Sequence, residues 1–254
     1  MGTKHDELTE EEIQQYSLRP EILAALKDCC NWFGVSPSAL RILDFGCGRG
    51  VAVAKLLEFG FGAYGVDVDT EPLGNGYRAL RERGFLPEQR LRLVAGDGRT
   101  PFDDGFFHLI VSDQVLEHVR DLGLVAREMS RLTTSGGRGL HFFPARRCVV
   151  EPHLFLPFLH WLPKNRLRYL YLRAVLSRLP VWQELRDASP RERATAYFKY
   201  CLEKTFYRSN RSIARIFETS GFRISFGQTE TFSLQSLRRR LHRMFREVRL
   251  ETRR

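Results

Sequence analysis

The stretch Asp44-Phe-Gly-Cys-Gly-Arg-Gly50 constrains this chain more than any other part of it. It follows the apolar run Arg41-Ile-Leu-Asp-Phe and precedes Val51 to Phe59, whose apolar spacing is helical and ends at Gly60. Glycines at alternate positions between a strand and a helix let the backbone turn sharply. They also let a ligand approach the main chain with no Cβ in the way. An ordinary βα turn seldom needs three. Dinucleotide folds seat a pyrophosphate on a G-x-G-x-x-G helix N-terminus. Here Val51 follows Gly50, and that spacing fails. Asp44 would repel a pyrophosphate and is better suited to a cationic amino-acid moiety.

The flanking sequence repeats the same rhythm. Further strands are predicted at 63–67, 91–95, 107–111 and 139–143, with helices at about 70–82 and 119–132 and a turn at Ser135-Gly-Gly137. Two helices precede the first strand. Thr9 caps one, with acids in its first turn, and Pro20 opens the other, whose apolar positions are Ile22, Leu23, Leu26 and Trp32. Strands alternating with helices in this way predict an α/β fold with a doubly wound, mostly parallel sheet. Its ligands belong beyond the carboxyl ends of the strands.

After Pro144 the rhythm breaks. Residues 145–205 are rich in aromatics, Leu, Pro and Arg, show no clear strand, and read as an α-helical insertion. The pattern resumes with a helix at about 210–220 and a strand at 221–226. Leu234 to Leu250 reads as a basic amphipathic helix, with Leu234, Leu237, Leu241, Met244, Phe245 and Val248 on one side and Arg238, Arg239, Arg240, Arg243 and Arg246 around the rest. A seventh strand is not obvious, and Val248-Arg-Leu-Glu-Thr252 is only a weak candidate.

Charge follows the same division. The 254 residues carry 40 Lys+Arg against 30 Asp+Glu. Residues 1–137 hold 15 basic and 21 acidic side chains, whereas 138–254 hold 25 basic and 9 acidic. The net positive charge therefore belongs to the insertion and tail. An apolar content of 43% supports a normal core and excludes a disordered chain. No apolar run reaches membrane-spanning length, and the first residues lack the apolar core of a secretion signal. Five cysteines without C-x-x-C spacing argue against a disulfide scaffold, so a cytoplasmic location is expected. The tail helix leaves two options, docking on the sheet or lying on an anionic membrane surface.

Several motifs in order carry a family resemblance. Ile42 to Gly50 resembles motif I of the class I S-adenosylmethionine-dependent methyltransferases. Phe106-Phe-His-Leu-Ile-Val-Ser-Asp-Gln-Val-Leu-Glu-His-Val119, then Glu128-Met-Ser-Arg-Leu and Gly136-Gly137, resemble the type 11 methyltransferase domain, including the methyltransferases of quinone biosynthesis. The resemblance spans about residues 35–143. It implies S-adenosyl-L-methionine as cofactor, held by Asp44, Gly46, Gly48 and Gly50, with Asp67 on the ribose hydroxyls, Asp97 and Gly98 at the adenine, and Asp113 nearby. Each acid has a plainer alternative: Asp67 can cap the next helix, and Asp97 can merely shape a turn with Gly96 and Gly98. Glu117 and His118 open a helix, where capping or packing weighs at least as much as catalysis. Tyr16 either covers the cofactor or packs in the core. The expected organisation is a single domain with N-terminal helices (1–34), a cofactor-binding core (35–144), a substrate-covering insertion (145–205) and a C-terminal strand with the basic helix (206–254).

The implied chemistry is methyl transfer, in which holding the acceptor in line supplies much of the catalysis. A weakly acidic hydroxyl acceptor also needs a base or a metal. Catalytic candidates are Asp113, at the end of the fourth strand, and His153, in the proline-interrupted segment Val149 to Pro163. Gln114, His153, His160 and Trp161 are the candidate acceptor contacts. The competing reading makes both histidines structural members of a packed lid. No metal is expected, because His153 and His160 stand seven apart with no matching carboxylates. The apolar insertion, with Arg166, Arg168, Arg173 and Arg178, points to a small-molecule or lipid-linked acceptor and to O- or C-methylation. Nucleic acid is not expected as substrate: Ser112-Asp-Gln-Val115 stands where amino-methylating nucleic-acid enzymes carry Asn/Asp-Pro-Pro-Tyr, and no Pro-Cys nucleophile is present. An RNA methyltransferase and a non-catalytic cofactor-binding partner protein are the alternatives.

Overall fold

The computed structural model describes residues 8–146, 148–177, 182–228 and 247–254. In chain order the elements are α1 (Glu10–Gln15), α2 (Pro20–Phe33), β1 (Arg41–Phe45), α3 (Val51–Glu58), β2 (Gly62–Asp67), α4 (Thr70–Glu82), the single turn α5 (Pro87–Arg90), β3 (Leu91–Leu93), β4 (Phe107–Asp113), α6 (Leu122–Leu132) and β5 (Thr133–Pro144). The insertion follows with β6 (Val150–Glu151), β7 (Leu156–Pro157), α7 (Arg166–Val175) and α8 (Pro190–Glu203), and the chain closes with α9 (Asn210–Thr219), β8 (Arg223–Gln228) and β9 (Glu247–Arg253). Seven strands form one sheet in the order β3-β2-β1-β4-β5-β9-β8. The first five pair in parallel, and β9 runs antiparallel between β5 and β8. The α/β, mostly parallel architecture is as expected.

Alternation along the strands builds two cores. Ile42, Leu109 and Val111 face one side, where they meet Ile13, Ile22, Leu26, Val53 and Leu56 of the N-terminal helices and α3. Leu43 and Ile110 face the other, against Leu122, Ala126, Met129 and Phe217 of α6 and α9. Helix starts follow their caps. Thr9 forms a capping box with Glu12, and Asp121, which accepts from Leu124 N–H at 3.0 Å, starts α6 three residues later than the apolar pattern predicts. The turn foreseen at Ser135-Gly-Gly137 lies inside β5: pairing jumps from Phe107–Thr133 to Leu109–Arg138, so those residues form a bulge.

Two expectations change. Residues 247–250, assigned by periodicity to a basic helix, belong to β9, so the weak strand candidate is the sheet's seventh strand. Val248, Leu250 and Thr252 are buried there on alternate positions, and the register with β5 runs from Pro144–Glu247 to Arg138–Arg253. Residues 234–246 of the expected helix, and Arg178, lie outside the described residues. The insertion, expected to be helical, holds the helices α7 and α8 but opens with the short β6–β7 hairpin. It carries its own small core of Leu154, Leu156, Leu159, Leu172, Ala194 and Tyr197.

Candidate active site

β1 delivers Asp44 to the carboxyl edge of the sheet, and the next five residues turn back over it. Gly46, Gly48 and Gly50 adopt φ of 83°, 53° and 72°, the left-handed region that favours glycine. A Cβ on Gly46 would lie 2.5 Å from Val115 Cγ2, so this position also needs glycine for space. Asp67, at the end of β2, accepts from the Gly48 N–H at 2.7 Å and the Asp69 N–H at 3.0 Å. The Asp67 side chain thus ties the glycine turn to the neighbouring strand. The cap of α4 is Asp69, which accepts from Glu71 N–H at 3.1 Å, so capping is not the task of Asp67. Asp97 accepts from Arg99 N–H at 2.9 Å and closes a turn that includes Gly98 at φ 82°.

A cleft lies over the turn, lined by Tyr16, Leu18, Ile22, Asp44, Gly46, Cys47, Val111 and Asp113 among others. Arg49 reaches from the turn to Glu12 of α1 at 2.8 Å, which holds the N-terminal segment across the cleft. Asp44 is buried, and burial together with the charges of Asp113 and Asp67 pushes its carboxyl up to about 7. Asp113 makes a two-pronged pair with Arg19, Nε–Oδ2 2.5 Å and Nη2–Oδ1 2.9 Å, and Arg19 also stacks on Phe142. Tyr16 lines the cleft, and burial, then the nearby Asp44 and Asp113 carboxylates, raise its phenol well above the usual range. Gln114, just beyond β4, holds φ 57°, an uncommon backbone for a residue with a side chain, while its N–H donates to the Phe142 carbonyl at 2.8 Å. The donor set fits S-adenosylmethionine on its chemistry: a buried carboxylate for the ammonium group, bare main chain at the turn, and an acid at the second strand end for a ribose.

The insertion places its histidines apart. His160 is buried against Cys148, Nε2–Sγ 3.6 Å, and Trp161 donates its indole N–H to the Cys148 carbonyl at 3.0 Å. His153 instead meets residues far away in sequence. Its Nδ1 lies 3.0 Å from Glu151 Oε1 and 3.1 Å from Tyr207 Oη, and its Nε2 lies 3.1 Å from Nε2 of His118. Burial depresses His118, whereas at His153 the hydrogen bond and charge of Glu151 outweigh burial and raise its pKa. Glu151, Tyr207, Glu117 and His118 were not joined to His153 by sequence reasoning. Only the position of Glu117-His118, just beyond a strand end, marked them. Arg168, expected on the acceptor side, is buried and donates to the Leu162 carbonyl. Arg166 and Arg173 are exposed.

Known proteins share this fold. Residues 43–140 match the family model described as a methyltransferase domain. The ubiquinone biosynthesis O-methyltransferase of Aeromonas salmonicida is 32% identical over 99 residues, covering 39% of this chain and 40% of that protein. The demethylmenaquinone methyltransferase of Mycobacterium marinum is 30% identical over 132 residues, covering 49% and 52%. The chain thus spans about half or less of the length of these curated relatives. Among solved structures, an S-adenosylmethionine-dependent methyltransferase from Mesorhizobium loti superposes with a TM-score of 0.58 at 17% identity, covering 91% of this chain and 96% of that one. The geranyl diphosphate C-methyltransferase of Streptomyces coelicolor, in complex with Mg2+, geranyl diphosphate and S-adenosyl-L-homocysteine, gives 0.54 at 17% identity, covering 98% and 84%. Residues 43–140 thus match the methyltransferase domain family, and the chain shares the fold of S-adenosylmethionine-dependent methyltransferases.

Proposed function

We propose that the chain transfers the methyl group of S-adenosylmethionine to oxygen or carbon of a small-molecule or lipid-linked acceptor. The observation that carries this reading is the buried Asp44 beneath a glycine turn whose far side is fixed by Asp67. Bound cofactor supplies an electrophilic methyl on a sulfonium, and the protein's work is binding and alignment. In this proposal Asp44 pairs with the cofactor's ammonium, Asp67 accepts from its ribose, and the Asp97–Gly98 turn meets the adenine. Tyr16 and Leu18 cover the cleft and exclude water. Arg19 fixes Asp113 at the cleft wall, so Asp113 serves in positioning.

An apolar acceptor is supported by exposed side chains on the insertion. Phe155, Phe158, Trp161, Leu167 and Leu170 are all solvent-facing, with Arg166 and Arg173 beside them in sequence. Together they suit a greasy molecule with an anionic or polar head. Among the described residues no helix is long and apolar enough to cross a membrane. The names of the relatives, a ubiquinone biosynthesis O-methyltransferase and a demethylmenaquinone methyltransferase, fit the same acceptor class.

Methyl-labelled S-adenosylmethionine, incubated with the chain and either apolar-tailed phenols in detergent or bulk RNA, tests this. Label is expected in the detergent-extractable phenol and at background in RNA. Label in RNA alone would overturn the proposal and favour the RNA reading.

A further inference from the structure

His118 and His153 face each other in a way that neutral imidazoles alone do not sustain. His118 Nδ1 lies 2.5 Å from the Lys204 carbonyl oxygen, which only accepts, so this nitrogen carries the proton. His153 Nδ1 lies 3.0 Å from the Glu151 carboxylate, which also accepts and which takes a second hydrogen bond from the Tyr207 hydroxyl. Both Nδ1 atoms are therefore donors. With both rings neutral, both Nε2 atoms carry lone pairs, and these nitrogens are 3.1 Å apart. Two lone pairs at that distance repel unless a cation lies between them.

A carboxylate completes the group. Glu117, whose side chain is 1% exposed, places Oε1 3.7 Å from His153 Nε2 and 4.0 Å from His118 Nε2. The three donor atoms lie within 4.8 Å of one another. Two imidazoles bound to one tetrahedral ion at about 2.0–2.1 Å would hold their nitrogens about 3.3 Å apart, close to the separation seen. The second contacts also have the form found around metal-bound histidines, where the outer N–H is held by a carboxylate or a main-chain carbonyl. The expectation of no metal rested on pairing His153 with His160. The fold pairs it with His118 and Glu117 instead, from the loop after β4.

We propose that Glu117, His118 and His153 form a three-ligand site for a first-row divalent cation of the Zn2+ or Mn2+ type. The donor set, two imidazoles and one carboxylate, suits those ions better than Ca2+ or Mg2+, which prefer all-oxygen sites. Three protein ligands leave a further position for an acceptor hydroxyl. This role, though not the binding itself, rests on the methyl-transfer reading. Coordination makes the hydroxyl more acidic, and its proton passes to solvent. The oxygen then forms the new O–CH3 bond while the C–S bond breaks with its electron pair staying on sulfur. The products are the methyl ether and S-adenosylhomocysteine.

The test uses the full chain, stripped with chelator and titrated with Zn2+ or Mn2+ alone, and in parallel with S-adenosylmethionine alone. One equivalent of metal is expected to bind at micromolar or tighter affinity, and Co2+ in its place should show the visible bands of tetrahedral N/O coordination. Glu117→Gln and His118→Gln should each weaken metal binding at least 100-fold with cofactor affinity unchanged. Tyr207→Phe and Glu151→Gln, which remove only outer support, should weaken it about 10- to 100-fold. Melting curves separate these effects from misfolding. Cofactor binding without metal binding at 100 µM metal would overturn this proposal alone, leaving a shared proton between the two rings. Metal binding without cofactor binding would overturn the methyl-transfer reading alone.

Discussion

Asp44→Asn is expected to lower S-adenosylmethionine affinity on the order of 100-fold at pH 8, about 3 kcal/mol, by removing the charge opposite a desolvated ammonium group. The wild-type chain should itself lose affinity in acid. Its Asp44 carboxyl, raised to about 7 by burial and then by the Asp113 and Asp67 charges, holds a proton below that pH and must release it to pair with the cofactor. Between pH 7 and 5 the affinity should therefore fall by about tenfold per pH unit. Asp44→Asn should flatten that slope.

The same residue sets a stability trend of opposite use. In the cofactor-free fold Asp44 keeps its proton up to about 7, whereas in the unfolded chain it ionises near the ordinary 3.8. A folded pKa above the unfolded one favours the fold in acid, and that contribution is lost as pH rises from about 4 to about 7. Asp44→Asn escapes the loss. Its cofactor-free form should melt several degrees higher than wild type at pH 8 and with little difference at pH 4. The variant thus binds worse and folds better, an outcome that calorimetry and thermal melts at the two pH values check. Equal or lower melting of the variant at pH 8 would show that the buried charge is not costly.

Asp67→Ala should have the second large effect. Its carboxylate holds two main-chain N–H groups, at Gly48 and Asp69, and in the proposed complex also accepts from the ribose. Charge-assisted bonds of this kind are worth roughly 1.5–3 kcal/mol each. Losing the ribose contacts and the tie on the glycine turn together should weaken cofactor binding on the order of 100- to 1,000-fold. Stability should fall by only about 1–2 kcal/mol, because water can reach the freed N–H groups. Asp67→Asn keeps one accepting oxygen and should lie between. A titration by calorimetry reads all three proteins. Unchanged affinity in Asp67→Ala would leave Asp67 as a purely structural clamp.

Local signals carried the legible part of this molecule. Alternating apolar residues, the caps at Thr9 and Asp121, and the glycine turn each act within a few residues, so strands β1 to β5 and the turn could be read directly. The tail could not. Val248-Arg-Leu-Glu-Thr252 alternates like a strand, yet its arginines and leucines also continue a helical stripe from Leu234. Pairing with β5, more than 100 residues earlier, decides between them, and a sequence window does not contain that partner. The site divides in the same way. Asp44, Gly46, Gly48, Gly50 and Asp67 sit on adjacent elements and were found together. Arg19 with Asp113, and His118 with His153, Glu151 and Tyr207, are joined only by tertiary structure. Arg168 was placed on the acceptor side because composition does not show that its guanidinium donates to the Leu162 carbonyl.

The central claim is that the cleft over the Asp44–Gly50 turn is a cofactor site. Isothermal titration of the full chain with S-adenosylmethionine at pH 8 tests it most directly. One equivalent should bind with micromolar affinity, and no heat at millimolar cofactor would contradict the account.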